Sequence, residues 1–509
     1  MALTLDELRR ATAILEAVLA DRGLLAEFPE QDRKAFLVAA GRASRPDSYQ
    51  ERRLARAFRR QRHERAEAAD REARAGTGIR SAREDAVFVP PPALLGGGET
   101  PARELKKPKA CYVCKSEFTR LHHYYEALCP ECAVLNYEKR FQSADLSGRV
   151  ALVTGARVKI GFQSSLKLLR AGARVVATTR FPHDAAKRYA LEPDFGAWQV
   201  RLHVHGLDLR HAPSVELFAR YVEHRYERLD ILINNACQTV RRPPGFYEHL
   251  LAFEALPFEE LPRELRALLA RHHDCVAALE APRALPAAPG AVDATGLAAW
   301  QGGGSGVGLR ASARLSQVRY AYDDTERRLD LFPDGHTDVD LQQLDLRAQN
   351  SWRLSLAEVP TPEMIEVQLV NAVAPFILCS RLKPLMLRHP SRDKHIVNVS
   401  AMEGIFSRGT KTHRHPHTNM AKAALNMLTL TSARDYVKNG IHMNAVDTGW
   451  VTDEDPALFA TRKKEELDFQ PPLDIVDGAA RICDPFFSGL LTGEHIWGKF
   501  LKDYKPSAW

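Results

Sequence analysis

The stretch Arg149-Val150-Ala151-Leu152-Val153-Thr154-Gly155-Ala156-Arg157-Val158-Lys159-Ile160-Gly161 decides how this chain folds. Its first half is a short apolar run, which suits a strand buried on both faces. Gly155 permits the tight turn that follows, and Gly161 lets the next helix pack closely on the strand. Strand, glycine turn and helix in this order aim backbone N–H groups at a helix N-terminus, where a phosphate is held. The runs ARVVATT (173–179), DILINN (230–235) and HIVNVS (395–400) are of the same apolar kind and are separated by helical stretches. The pattern predicts an α/β fold with a doubly wound parallel sheet and helices on both faces.

The whole chain has 509 residues, enough for two to four domains at roughly 100–200 residues each. Its 71 basic and 64 acidic residues leave a net charge of +7, too dilute over this length to argue for nucleic-acid binding. The sequence has no run of 18 apolar residues, which argues against a membrane span. The start MALTLDELRR is acidic where a secretion signal is basic and apolar, so a cytoplasmic location is expected.

Residues 1–86 read as a helical region. Thr4 and Glu7 form a capping box before Leu8, Ala11, Leu15 and Val18, and Gly23 can end that helix. A second helix is expected over about 30–40. Ser48 and Glu51 form another box, followed by a charged helix reaching about Gly76. Its run ERRLARAFRRQRHER (51–65) is a solvated face laced with Glu/Arg pairs, or a patch for an acidic partner or RNA. Residues 87–105, rich in proline and glycine, read as a linker.

Residues 106–140 carry Cys111-x2-Cys114 and Cys129-x2-Cys132, 14 residues apart. Each pair sets two thiolates on one side of a cation, and four sulfurs match tetrahedral Zn²⁺ in a closed, structural site. A redox pair and an iron–sulfur cluster are the other readings. His122 and His123 lie between the pairs as loop residues or alternative ligands. The module resembles zinc ribbons and knuckles.

From residue 146 onward the chain resembles the short-chain dehydrogenase/reductase family. Thr154, Gly155 and Gly161 match its TGxxxGxG turn, with Lys159 in place of the middle glycine and Ile160 beside it. Asp208 in GLDLR sits where the family has an acid near the adenine. Asn234-Asn235-Ala236 matches its NNAG, with Cys237 for the glycine. Asn371 in LVNAVAPF matches the active-site helix asparagine. NGIHMNAVDTGWVTDE (439–454) resembles its nicotinamide-side segment, with Gly449 in the turn and Thr452 at the carboxamide. The resemblance covers 149–239 and 360–509 and implies a Rossmann-type sheet and a nicotinamide dinucleotide. Arg180 ends a strand where the family places an acid for NAD or a base for the 2′-phosphate of NADP. Arg180, with Arg157 and Lys159 nearby, favours NADP(H) over NAD.

The family's chemistry uses Asn, Ser, Tyr and Lys. Asn371 and Lys422 match. Thr418 stands at the tyrosine position, and Ala401 at the serine position with Ser400 one residue earlier. A threonine hydroxyl cannot be tuned to pH 7 as a phenol can, so another group must supply the acid. His413, His415 and His417 crowd the preceding loop, and His417 is the nearest candidate. Tyr320 or Tyr322 from the segment 240–355, an insertion in the domain 146–509, is a further one. That insertion emerges at the ligand-binding edge of the sheet and acts as a lid, an assembly surface or a packing element, with Trp352 a pocket anchor.

Two functions fit. One is NADP(H)-dependent hydride transfer to or from a small carbonyl or alcohol. The other is a non-catalytic NADP(H)-binding scaffold or sensor that recruits a protein partner through the zinc module or N-terminal helices. The resemblance also implies a homo-oligomer. A third reading, RNA binding through 51–65 and the zinc module, predicts affinity that falls steeply with salt.

Overall fold

The computed structural model describes residues 3–84, 88–90, 103–280, 306–318, 330–333, 335–338 and 342–509. Ten strands are described: β1 Glu104–Ala110, β2 Glu117–Arg120, β3 Val150–Thr154, β4 Arg174–Thr179, β5 Leu202–Gly206, β6 Ile231–Asn234, β7 Lys394–Ser400, β8 Ile441–Asp447, β9 Phe500–Lys502 and β10 Lys505–Ser507. The last eight form one sheet in the order β10-β9-β8-β7-β6-β3-β4-β5, and every pair is parallel except β9–β10. The expected doubly wound sheet is therefore present, with an antiparallel strand at one edge. Its strand order reverses between β3 and β6, the place where such sheets bind ligands.

Two apolar layers sandwich the sheet. Leu166 and Leu169 of the helix Lys159–Arg170 join Phe486 and Phe487 of Ile475–Thr492 on one face. Phe218 of Ala212–Arg225, Leu378 of Ala374–Arg388 and Tyr436 of Pro416–Tyr436 fill the other. The segment Thr361–Arg388 is long and apolar enough to cross a membrane, but most of it is buried in this second layer. Strand β3 is buried at all five positions, as its unbroken apolar run requires.

The chain divides into two compact units, Met1–Asp70 and Arg71–Trp509. In the first, the helix Leu5–Ala20 opens on the expected box: Thr4 Oγ1 accepts from Glu7 N–H at 3.3 Å, and the Glu7 carboxylate accepts from Thr4 N–H at 2.9 Å. The next helix runs Glu30–Ser44. The third covers Ser48–Ala75, but Asp47 caps it, accepting from Gln50 N–H at 2.7 Å. The cap falls one residue before the Ser48 position read from the sequence, since Asp47, an equally good capping residue, takes the role.

The second unit holds the cysteine module, the sheet and the described parts of 240–355. The linker expected at 87–105 lies largely outside the described residues, and Glu104 already belongs to β1. The glycine-rich part of the insertion, Tyr320 and Tyr322 also lie outside them. Two helices of the insertion, Val307–Arg310 and Arg263–Glu280, pack on the sheet's outer strand. The helix Arg263–Glu280 lies along the outer strand β5, where His272 Nδ1 accepts Gly206 N–H at 3.3 Å and caps part of an exposed edge.

Candidate active site

Gly155 has a φ of +67°, and a Cβ added there would lie 2.8 Å from Ala236 Cα. A Cβ on Gly161 would lie 2.2 Å from the Gly155 carbonyl oxygen and 2.4 Å from Asn235 Nδ2. Both glycines are thus required by close approach. Asn235 Nδ2 donates to the carbonyls of Thr154 (3.0 Å) and Gly155 (3.2 Å), and Ala236 N–H donates to Thr154 Oγ1 at 3.0 Å. The NNA segment therefore ties the end of β6 to the turn after β3.

Lys159 takes the conformation a glycine would, with φ +53°. That left-handed backbone costs a side-chain-bearing residue about 1 kcal/mol or more. Its ammonium lies 3.9 Å from Asp338 of the insertion. Lys159→Gly is expected to leave stability unchanged or raise it by up to about 1 kcal/mol, since relief of strain exceeds loss of a long, partly exposed ion pair. A urea midpoint measurement checks this, and a clear loss of stability would contradict it.

The cleft above this turn has a volume of about 750 Å³. Gly155, Arg157, Lys159, Ile160 and Gly161 form its floor. Arg180, Asp208, Asn235, Ala236, Ser400, Lys422, Gly449 and Thr452 line its walls. Most of the residues expected to hold a dinucleotide are thus brought together. The insertion contributes Arg241, Arg242, Phe246, Tyr247, Gln342 and Trp352 to the same cavity.

The three expected cations differ in their commitments. Arg157 is buried and gives its Nη1 to Asp184 at 2.6 Å. Burial lowers its pKa, while Arg157 and Arg188 together outweigh burial at Asp184 and hold that carboxyl low. Lys159 faces Asp338. Arg180 instead donates to the phenol oxygen of Tyr247 at 2.7 Å and stacks on its ring 4.8 Å away. Its hydrogen-bond partner is neutral and its charge reaches a carboxylate only at a distance, in Asp208, so Arg180 is the cation of the three best placed for a phosphate. Asp208 is fully buried and clamped by Arg210, whose Nη2 lies 2.7 Å from it and whose Nη1 reaches Glu366 at 2.8 Å. Burial alone would raise the Asp208 pKa, but Arg210 brings it below the usual carboxylate value.

At the other end of the cleft, Lys422 Nζ donates to Val399 O at 2.8 Å, and Ser400 Oγ donates to Asn426 Oδ1 at 2.6 Å. Asn371 lies in a π-helical turn, Leu369–Val373, a local distortion frequent at functional sites. Its side chain accepts Gln238 N–H at 2.8 Å and donates to Gln238 O at 3.1 Å. The amide is spent holding the segment after NNA and is not on the cleft wall.

Thr418 and His417 are also absent from that wall. Both are buried; the His417 ring is turned toward Glu363, with Nε2 3.7 Å from its carboxylate. The helix Pro416–Tyr436 begins just before them and packs against Thr361–Gln368, where His417 meets Glu363. His415 stacks on Trp352 at 3.9 Å.

Asp447 and Tyr112 are among the cleft residues that escaped the sequence reading. Asp447 ends β8 and accepts Gly449 N–H at 3.0 Å. Burial pushes its carboxyl up to about 6, against the pull of that N–H. Its place at a strand's carboxyl end was the available signal. Tyr112, between two cysteines of the metal-type motif, also lines the cleft and accepts Trp450 N–H at 2.9 Å. Nothing in the motif signals it.

The four cysteines do converge. β1 and β2 form an antiparallel hairpin bearing Cys111 and Cys114, and Cys129 precedes the helix Pro130–Phe141, which carries Cys132. Their sulfurs lie within 4.8 Å of one another, with Cys114 and Cys129 3.6 Å apart. Zn–S bonds of about 2.3 Å at tetrahedral angles put sulfurs about 3.8 Å apart, so the donor set fits. His122 and His123 instead pack with Tyr125 and Tyr137.

The short chain dehydrogenase family profile matches residues 149–251, and the enoyl-(acyl carrier protein) reductase profile matches 348–468. The uncharacterized protein R665 of Acanthamoeba polyphaga mimivirus is 31% identical over 390 residues, covering 74% of this chain and 71% of that protein. Human retinol dehydrogenase 13 is 37% identical over 95 residues, 18% of this chain and 28% of its own length. Among solved structures, the NADPH-bound carbonyl reductase from chicken fatty liver aligns with a TM-score of 0.41 and 17% identity, covering 72% of this chain and all of that one. The chain belongs to the short-chain dehydrogenase/reductase family, a family of oxidoreductases.

Proposed function

We propose that this protein is an NADP(H)-dependent oxidoreductase acting on a small carbonyl or alcohol, with zinc in its four-cysteine module. The observation that carries the reading is the cleft at the β3/β6 switch point, lined by the turn that Gly155 and Gly161 allow to pack tightly and by Arg180, whose hydrogen-bond partner Tyr247 is neutral. The turn and the helix N-terminus at Lys159 would hold the pyrophosphate, and Arg180 the 2′-phosphate. Lys422, Gly449 and Thr452 would hold the nicotinamide end. When bound, the nicotinamide supplies or accepts the hydride. Arg180→Asp is expected to weaken NADPH binding at least tenfold and NADH binding much less. Equal effects on both nucleotides would remove the 2′-phosphate role.

With Thr418 and His417 off the cleft wall, Asp447 is a candidate acid there, its carboxyl pushed by burial up to about 6. As acid in carbonyl reduction it must be protonated, so kcat/KM is expected to fall as pH rises through about 6. In alcohol oxidation the same group acts as base and the rate rises through that value. Asp447→Asn is expected to abolish the step in the profile; a step that persists in this variant would assign it elsewhere.

The burial of Thr418 favours a second reading, a nucleotide-binding scaffold without turnover. It is supported if NADPH binds tightly while no carbonyl or alcohol is converted. Pairing of two copies would use Phe376, Met420, Met427 and Leu430, exposed apolar side chains on the helices Ala374–Arg388 and Pro416–Tyr436. Sedimentation of wild type against Phe376→Glu tests that assembly.

A further inference from the structure

The cysteine module is built into the wall of the cleft. One apolar cluster joins Phe118, Tyr125 and Leu128 of the module to Val451, Leu473 and Ile475 of the main domain, with Ile160 of the phosphate turn packed against it. Buried polar contacts reinforce the joint. Tyr125 donates to Asp477 at 2.5 Å, and Arg140 meets Asp474 at 2.7 Å and Asp477 at 3.0 Å. Asn136 accepts from Arg481 at 2.7 Å.

One contact reaches the loop after β8. Tyr112 is fixed at its backbone by the hydrogen bond from its N–H to Ala127 O, 2.8 Å, and flanked by Cys111 and Cys114. Its phenol oxygen accepts Trp450 N–H and lies 3.4 Å from where a Gly449 Cβ would be. Lys502 sits 5.8 Å from the ring centre. The residue that contacts this loop is therefore placed by the same turn that gathers the sulfurs. Residues 449–452 all line the cleft, and Val451 among them is also buried against the module.

We propose that Tyr112 is a positioning residue that couples metal occupancy of the four-cysteine site to nucleotide binding in the cleft. The proposal rests on the NADP(H) reading above. A bound metal fixes the Cys111–Cys114 turn, the turn fixes Tyr112, and Tyr112 holds the backbone N–H of Trp450 so that residues 449–452 keep their binding shape. Without the acceptor, that N–H loses its partner and the loop is freed. Coupling between two ligands is reciprocal, so the nucleotide must also slow loss of the metal.

The test uses the full zinc-loaded chain. Tyr112→Phe keeps the ring and removes the acceptor. It is expected to keep one zinc per chain and to bind NADPH about tenfold more weakly. Adenosine 2′,5′-bisphosphate, which reaches only the Arg180 end, is expected to bind it as it binds wild type. In wild type, saturating NADPH is expected to slow zinc release to a chromogenic chelator several-fold. This second measurement stands whether or not the variant folds. Unchanged NADPH affinity in Tyr112→Phe, equal weakening of both ligands, or zinc release indifferent to NADPH would each overturn the coupling. If wild type binds adenosine 2′,5′-bisphosphate but its zinc release ignores NADPH, the coupling alone fails. If wild type binds neither ligand, the NADP(H) reading itself fails and takes this proposal with it.

Discussion

Gly161→Ala is expected to lower NADPH affinity by tenfold to a hundredfold. The added methyl would meet the Gly155 carbonyl oxygen at 2.2 Å and Asn235 Nδ2 at 2.4 Å. Neither neighbour can swing away. The carbonyl belongs to the turn itself, and the Asn235 amide is held by Thr154 and Gly155. The helix Lys159–Arg170 must therefore back off from β3, which opens the anion site and costs roughly 1–3 kcal/mol of packing. Gly196→Ala is the control, since nothing lies within 4 Å of a Cβ there. NADPH affinity and the denaturation midpoint, measured on both variants, separate a local effect from a general one. Wild-type affinity in Gly161→Ala would mean that the turn is not the phosphate site.

Removing the metal from the cysteine module is expected to cost at least about 3 kcal/mol of stability. In small zinc modules the metal supplies nearly all the folding energy, about 10–16 kcal/mol. Here the loss is smaller, because the module also leans on Asp474, Asp477 and the shared apolar cluster. The consequence spreads for the same reason. Val451, Leu473 and Ile475 lose part of their cover when β1, β2 and the Cys129 turn loosen. Cys111→Ala with Cys129→Ala, or prolonged chelation, should thus reveal an early unfolding transition that wild type lacks. Metal content by mass spectrometry and a denaturant titration of both forms measure it. Equal stability with and without metal, or no metal in the purified chain, would contradict a structural role.

The phosphate turn was legible because its constraints are local. Gly155, Gly161 and the apolar run before them act within a dozen residues. The double CxxC spacing is of the same sort. β5 and β8 were harder to see as strands, since Leu202–Gly206 carries two histidines and Ile441–Asp447 alternates apolar with polar residues on a doubly covered strand. The charges were legible as types and not as commitments. Arg157 and Lys159 look alike in sequence, yet Asp184 and Asp338, far along the chain, take them up. His417 and Thr418 were placed near Lys422 by spacing alone, but both are buried off the cleft wall and only Lys422 reaches it. Tyr112 became visible only once the module was docked.

The central claim is that the β3/β6 cleft binds NADP(H). Calorimetric titration of the purified wild-type chain with NADPH, and separately with NADH, tests it most directly. One saturable site per chain is expected, with NADPH bound at least tenfold more tightly. No heat from either nucleotide, or a preference for NADH, would contradict the claim.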